Sequence, residues 1–425
     1  MSRSDFAGNP ARENKSRRAS GTAATARYAR KQEAIVAAAS DILNHQGVKG
    51  MTLAGVASRV GLITTSVTYY FKKKEDLAVA CFLDGIARFD ELATDALRMH
   101  GPHARVQRLL EAWLDLRRRI AAGDAPAIAV FNDIRALQKP QRGVVLQAYM
   151  RFFDKIREIF VAPELAWLDA QARTARAQIL TEQIFWAVAW LPRYDLEDYD
   201  RIRERMYDIF VHGLAAPGRR WEPQPLSLDT VLESSAQELT PRETFLIAAT
   251  RLINEQGYRG ASVEKISSRL NVTKGSFYHH HEAKDHLVVD CFKRSFEVMR
   301  RVQRAVGEGG QDELVKLATA ASALVDYQLS ARGPLLRTSA LTALPESICL
   351  QMVEASNRVS DRFASLISDG IASGSVRAVD PYIAAQMLTA TLNASAEIRW
   401  WIPDVDRARA AALYAKPALT GIFSR

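Results

Sequence analysis

Asn44-His45-Gln46-Gly47-Val48-Lys49-Gly50-Met51-Thr52 opens a stretch that runs to Lys74-Glu75-Asp76-Leu77-Ala78-Val79-Ala80-Cys81-Phe82, and the same stretch returns without a gap 210 residues further on, from Asn254 to Phe292. Identities fall at Asn44/Asn254, Gln46/Gln256, Gly47/Gly257, Gly50/Gly260, Ser58/Ser268, Arg59/Arg269, Ser66/Ser276, Lys74/Lys284, Leu77/Leu287, Val79/Val289, Cys81/Cys291 and Phe82/Phe292. A dozen matches in one ungapped register mean that one unit is written twice. A chain of 425 residues exceeds what one hydrophobic core serves, so the repeat divides it into two halves.

Each copy reads as three short helices. Ile35, Ala38, Ala39, Ile42 and Leu43 recur at helical spacing until Gln46-Gly47 stops them. Thr52 can cap the next helix, whose buried face is Leu53, Val56, Ala57 and Val60. Gly61 closes that helix, and a third runs to Phe71. In the second copy Thr240-Pro241-Arg242-Glu243 forms a capping box with proline at the first helical position, and Phe245, Ala248, Ala249, Leu252 and Ile253 form the stripe. Ser262 caps the next helix, and Asn271 replaces Gly61 where a left-handed backbone is needed. Helix, short turn, helix is the unit whose second helix enters the DNA major groove.

After each headpiece comes a long helical region broken at Pro or Gly. The first half predicts helices near 75–98, 104–121, 126–138, 141–160, 164–191 and 197–214. The second half repeats the count, with breaks at Gly307 to Gly310, Gly333-Pro334, Pro345, Gly370 to Gly374, Pro381 and Pro403. Pro217-Gly218-Arg219-Arg220-Trp221-Glu222-Pro223-Gln224-Pro225 reads as a stiff linker. No strand-like alternation stands out, so the fold class is all-α.

Val272-Thr273-Lys274-Gly275-Ser276-Phe277-Tyr278-His279-His280-His281, followed by Lys284-Asp285-His286-Leu287, resembles the recognition-helix signature of the TetR family of bacterial transcriptional regulators. Leu62 to Phe71, followed by Lys74-Glu75-Asp76-Leu77, resembles it too. The first copy keeps the aromatic end Tyr69-Tyr70-Phe71 but has Ile63-Thr64-Thr65 where a capping Ser or Thr is usual. The second keeps Thr273-Lys274-Gly275 and places His281 at a position usually held by a buried Phe. The resemblance implies two fused units. Their expected divisions are a disordered basic arm 1–27, a first headpiece 28–74, a first regulatory domain 75–215, a linker 216–238, a second headpiece 239–284 and a second regulatory domain 285–425.

A recognition helix needs small or polar groups where the backbone approaches the groove, with donors for phosphates and base edges. Thr64, Thr65, Ser66, Thr68, Tyr69 and Tyr70 supply them in the first copy, and Lys274, Gly275, Ser276, Tyr278, His279 and His280 in the second. By resemblance Lys74 and Lys284 contact phosphate, as do Thr52 and Ser262, while Val67 and Phe277 point inward. The competing reading of these polar residues is a solvated helix face. The two recognition helices differ at almost every exposed position, which predicts an asymmetric or imperfectly palindromic operator. A scaffold in which one or both headpieces have lost DNA binding is the alternative, and the first copy, lacking a basic residue within its helix, is the one closer to it.

Of the net charge of +9, most lies in residues 1–31, which hold eight basic side chains against Asp5 and Glu13. That tail is either a solvated terminus or an arm that puts Arg17, Arg18, Arg27 and Arg30 on DNA phosphates. Cys81, Cys291 and Cys349 lack the clustering of a disulfide framework or zinc site and read as buried thiols, with a redox sensor as the rival. Consecutive histidines on a helix point about 100° apart, so His279-His280-His281 does not converge on a metal. No nucleophile elbow, P-loop or dinucleotide-binding glycine motif is present, so neither an enzyme nor a cofactor is expected. No apolar run approaches the ~18 residues of a membrane span and no secretory signal opens the chain, which places it in the cytoplasm without a membrane partner.

The remaining expectations follow from the resemblance. It implies a ligand pocket and a two-helix dimer surface in each helical domain. The last two helices of each half, near 176–214 and 382–423, are then expected to form a four-helix bundle. This makes the chain a monomer acting as a pseudo-dimer, or a homodimer carrying four headpieces, with recognition helices one DNA turn apart. Trp113, Phe131, Phe153, Trp186, Tyr327 and Trp400 are candidate pocket residues, against the commoner role of such aromatics as core. The function expected is a repressor responsive to an unidentified small-molecule effector.

Overall fold

The computed structural model describes residues 10–232, 240–269, 284–344 and 346–425. Its first half comprises α1 (Pro10–Gly50), α2 (Leu53–Arg59), α3 (Thr64–Tyr70), α4 (Lys74–Leu97), α5 (Pro102–Ala122), α6 (Gln141–Glu158), α7 (Ala170–Trp190) and α8 (Tyr199–His212). The second comprises α9 (Pro241–Gly260), α10 (Val263–Arg269), α11 (Lys284–Gly307), α12 (Glu313–Leu329), α13 (Glu346–Ser373), α14 (Pro381–Ser395) and α15 (Arg407–Thr420). The segment between α10 and α11 lies outside the described residues. Among the described residues there is no strand, only an isolated bridge between Ala215 and Val376.

Several residues identical in the two copies hold equivalent structural positions. Gly47 (φ 62°, ψ −179°) interrupts the end of α1, and Gly257 (φ 71°, ψ 162°) interrupts α9 at the same place, a backbone that only glycine adopts at little cost. The Cys81 thiol donates to Val36 O and the Cys291 thiol to Leu246 O, pinning the fourth helix of each copy to the first. Asn44 Nδ2 donates to Ile128 O and its Oδ1 accepts from Val130 N, both at 2.9 Å. Asn254 repeats this clamp with Leu335 O (2.9 Å) and Arg337 N (3.1 Å). Each headpiece is therefore tied by one amide side chain to a loop of its own regulatory domain.

Several expected boundaries move. Residues 1–27 read as an unfolded arm, whereas α1 runs back to Pro10, because residues 10–31 are rich in the strong helix formers Ala, Arg and Lys behind a proline suited to a helix start. The helix expected at 126–138 is a 3₁₀ turn over Phe131–Ala136. There the Asn44 clamp takes the Ile128 carbonyl and Val130 amide that a helix would use itself. The helix expected from 164 begins at Ala170, where Asp169 accepts from Ala172 N at 2.8 Å, after a 3₁₀ turn at Pro163–Leu165. The linker lies against the second half, with Gln224 N donating to Thr319 Oγ1 (2.9 Å) and Arg219 paired with Asp312 (3.1 Å).

The two halves meet through α7, α8, α14 and α15, which pack as the four-helix bundle expected from sequence. Every residue of α14 from Ile383 to Ser395 is buried, and α7 is buried on nearly all sides. Amides then bridge the halves: Gln183 Nε2 donates to Met387 O (2.9 Å) and Gln178 Nε2 to Ala394 O (2.6 Å). Beyond the bundle Gly213 and Gly421 face each other as α8 and α15 end, with Leu214 N donating to Leu419 O (2.7 Å) and Ile422 N to Phe210 O (2.9 Å). Arg377 Nη1 closes the seam on Asp208 at 2.7 Å. The chain thus folds as a pseudo-dimer of two copies of one helical unit.

Candidate functional site

In the first headpiece Val67 is fully buried against α1 and α2, so α3 turns its remaining face outward. Thr64, Thr65 and Tyr69 are exposed, and Ser66, Thr68 and Tyr70 are half-buried. Thr68 Oγ1 donates to Thr64 O (2.9 Å), which leaves its oxygen free to accept. Thr52 is exposed and caps α2 by accepting from Gly55 N at 3.0 Å. Gly61, at φ 65°, makes the turn between α2 and α3. Lys74 begins α4 and is half-buried.

Tyr28 from α1 lies 4.6 Å from the Tyr70 ring and 6.2 Å from the Tyr69 ring, so the arm leans on the end of α3. Arg27 and Arg30 flank Tyr28 and are exposed, while the Arg17 and Arg18 side chains lie outside the described residues. The structure adds exposed Lys72 and Lys73 directly after α3 and, at its start, Ile63, which is 71% exposed. The Lys72-Lys73-Lys74 run is visible in the sequence, where the family pattern marks Lys74 alone. Together these residues carry exposed or half-buried hydroxyls, phenols and ammonium groups, the groups that can donate to phosphates and base edges.

In the second headpiece Ser262 caps α10 by accepting from Lys265 N at 3.3 Å. Lys274, Gly275, Ser276, Tyr278, His279 and His280 lie outside the described residues, as does the Lys284 side chain.

A cavity of about 740 Å³ opens between the halves. Phe131 and Phe153 line it, together with Leu146, Tyr149 and Phe185 from the first half and Trp400 and Trp401 from the second. The Phe153 and Trp401 rings lie 3.9 Å apart, and Phe131 meets Phe185 edge-on at 5.2 Å. The other three aromatic candidates lie elsewhere. Trp113 is fully buried in the core of the first half. Trp186 Nε1 donates to Gln386 Oε1 (3.0 Å) inside the bundle, where aromatic spacing served packing across the halves. Tyr327 is buried with its hydroxyl donating to Arg332 O (3.0 Å) and accepting from Arg294 Nη2 (2.7 Å).

The polar side of the cavity is a ring of charges joining both halves. Arg135 donates to Asn254 O and to Glu397, and Arg337 Nη1 donates to the same Glu397 oxygen at 2.6 Å. Glu182 stands 3.9 Å from Arg337 and accepts from Asn393. Burial, followed by repulsion from Arg337, lowers Arg135 to about 9, and burial also lowers Arg337 and raises Glu182. Sequence could not find this ring, because Arg135 and Glu397 lie 262 residues apart.

The geometry defines a protein whose first half carries a helix-turn-helix headpiece and whose second half repeats the described part of it, both on a paired helical body. Residues 35–81 and 245–291 each match the family model described as bacterial regulatory proteins, tetR family. The Transposon Tn10 TetC protein of Escherichia coli is 38% identical over 52 residues, which are 12% of this chain and 26% of that protein. The chain's match therefore spans about a quarter of that relative's length. PfmR, a TetR family transcriptional regulator from Thermus thermophilus, aligns at 20% identity over 43% of this chain and 99% of its own, with a TM-score of 0.35. AibR in complex with isovaleryl coenzyme A and operator DNA aligns at 20% identity over 42% and 97%, with a TM-score of 0.35. FadR from Bacillus subtilis in complex with stearoyl-CoA aligns at 18% identity over 42% and 97%, with a TM-score of 0.33. The chain thus carries two segments that match the tetR-family model, one in each half of a single polypeptide.

Proposed function

We propose that this chain is a sequence-specific DNA-binding transcriptional regulator, a ligand-responsive repressor that reads an asymmetric or imperfectly palindromic operator. The observation that carries this reading is the pseudo-dimer itself. A bundle that pairs α7 and α8 with α14 and α15 in one chain holds two headpieces at once, and the two reading segments differ in sequence. Two unlike readers in a fixed pair prefer two unlike half-sites. On the first headpiece Thr52, Thr64, Thr65, Ser66, Thr68, Tyr69, Tyr70 and Lys74 contact DNA, with Arg17, Arg18, Arg27 and Arg30 of the arm on phosphate. On the second, Ser262, Lys274, Gly275, Ser276, Tyr278, His279, His280 and Lys284 do so. The chain works as a monomer, and a small molecule that binds two arrangements of the headpieces unequally shifts DNA affinity.

The test is selection of bound DNA fragments, followed by gel-shift titration at several salt concentrations. Affinity for the selected fragments falls steeply with salt as phosphate-bound counterions return. Recovery of perfect palindromes alone refutes the asymmetric operator, and binding that ignores salt refutes the DNA reading. A second reading, in which the first headpiece is a structural partner, is favoured by the absence of a basic residue within α3. In that case Thr65→Ala and Tyr69→Ala leave DNA affinity unchanged.

A further inference from the structure

We infer that the cavity between the halves is a single effector site per chain for an organic anion with an apolar body, and that its occupancy is felt by the second headpiece rather than the first. This deepens the ligand-responsive reading above and rests on it.

The volume of about 740 Å³ lies within the range of small-molecule sites, and one wall is aromatic and aliphatic. The lining also carries more positive than negative charge, six arginines against three glutamates. Arg142, Arg251 and Arg399 line the cavity, and none has a carboxylate within 4.0 Å among the described residues. Arg251 donates to Gly333 O (2.9 Å) and Ala331 O (2.6 Å), and Arg399 to Leu329 O (2.7 Å). These neutral carbonyls orient the guanidinium groups without cancelling their charge. Deeper in, Arg135 and Arg337 share one oxygen of Glu397. An anion placed here gains charge-assisted hydrogen bonds from arginines already held in position, whereas an amine meets repulsion and a neutral analogue gains only the apolar wall.

The two halves diverged at the loop that lines this cavity. Phe131-Asn132-Asp133-Ile134-Arg135-Ala136 supplies an aromatic ring and an arginine, and its counterpart Thr338-Ser339-Ala340-Leu341-Thr342-Ala343 has neither. The same divergence selects the headpiece. Arg251, Asn254 and Glu255 on α9 and Arg269 at the end of α10 line the cavity, and among the described residues nothing from the first headpiece does. Asn254 belongs to both structures at once: its carbonyl accepts from Arg135, and its side chain clamps the Arg337 amide. A ligand that draws Arg135 or Arg337 toward itself pulls on α9 directly.

The full chain is titrated with 8-anilinonaphthalene-1-sulfonate and, in parallel, with N-phenyl-1-naphthylamine, the same aromatic body without the sulfonate. The expected result is one sulfonate probe bound per chain, with emission sensitised by Trp400 and Trp401. Arg399→Gln and, as an independent variant, Arg142→Gln each weaken the sulfonate probe about tenfold and leave the uncharged probe within about twofold. Circular dichroism selects the variants that fold. Bound probe slows amide exchange in residues 241–269 more than in 31–59. Two equal sites per chain, equal loss of both probes, unchanged affinity in both variants or equal exchange effects in both headpieces would overturn the inference. No DNA enters this experiment, so failure of operator binding fails the regulator reading and leaves the anion site standing.

Discussion

Replacing Gly421 with alanine tests how the two halves are joined. Gly421 has φ 98° and ψ 147°, a region that side-chain-bearing residues enter at a cost of about 1–3 kcal/mol. A methyl group there would stand 2.1 Å from Val211 O and 2.9 Å from its carbonyl carbon, so backbone rather than a movable side chain is in the way. Relief requires the end of α8 to withdraw from the end of α15, breaking the Ile422 N to Phe210 O and Leu214 N to Leu419 O bonds. Overpacking of this kind costs about 1–3 kcal/mol. Conformational and steric costs together give a loss of about 2–6 kcal/mol. Gly123→Ala is the control: it shares the positive φ (83°) at the end of α5 but has nothing within 4 Å of an added methyl, so it loses about 1–2 kcal/mol. Urea unfolding of both variants, compared at matched m-values, reads the difference. Gly213→Ala, whose methyl would stand 2.4 Å from Leu419 O, is expected to behave like Gly421→Ala. Equal losses at Gly421 and Gly123 would refute the account of a close backbone contact between the halves.

Three further outcomes are expected. Lys72→Ala and Lys73→Ala each weaken binding of every DNA fragment by a similar factor and lower the slope of affinity against salt by about 1, measured by gel shift; a change confined to one sequence would make them base readers. Asn254→Ala leaves Leu335 O and the Arg337 amide without their partner and costs about 1–3 kcal/mol, with faster amide exchange at Arg337; unchanged exchange there would discount the clamp. Burial pushes the Cys81 and Cys291 thiols up to about 12, so both resist iodoacetamide in the folded chain at pH 8. Because these thiols ionise at about 9 when unfolded, their contribution to stability is complete below pH 9 and is lost as pH rises toward 12. Stability that held level across that range in urea unfolding would contradict it.

The headpieces were largely legible because their signals are local. Caps at Thr52 and Ser262, the turn at Gly61 and the inward Val67 follow from neighbours a few residues away. The helix expected at 126–138, which the structure replaces with a 3₁₀ turn, and the pocket residues show the limit of such signals. Trp113, Trp186 and Tyr327 have the same apolar character as Phe131, Phe153 and Trp400, and only long-range packing separates core, bundle and cavity. Hydrophobic spacing says that a ring is buried, and not against what.

By itself the sequence determined that the protein is a duplicated all-α unit and where the turns of its first headpiece fall. Those properties rest on period, capping and backbone freedom, which the chain carries residue by residue. Only the tertiary structure decided that Asn44 and Asn254 clamp headpiece to body, that Arg135 and Arg337 meet on Glu397, and that, among the described residues, the cavity between the halves touches the second headpiece and not the first. Those contacts join residues up to hundreds of positions apart, and their partners are set by how two diverged copies fit across one seam.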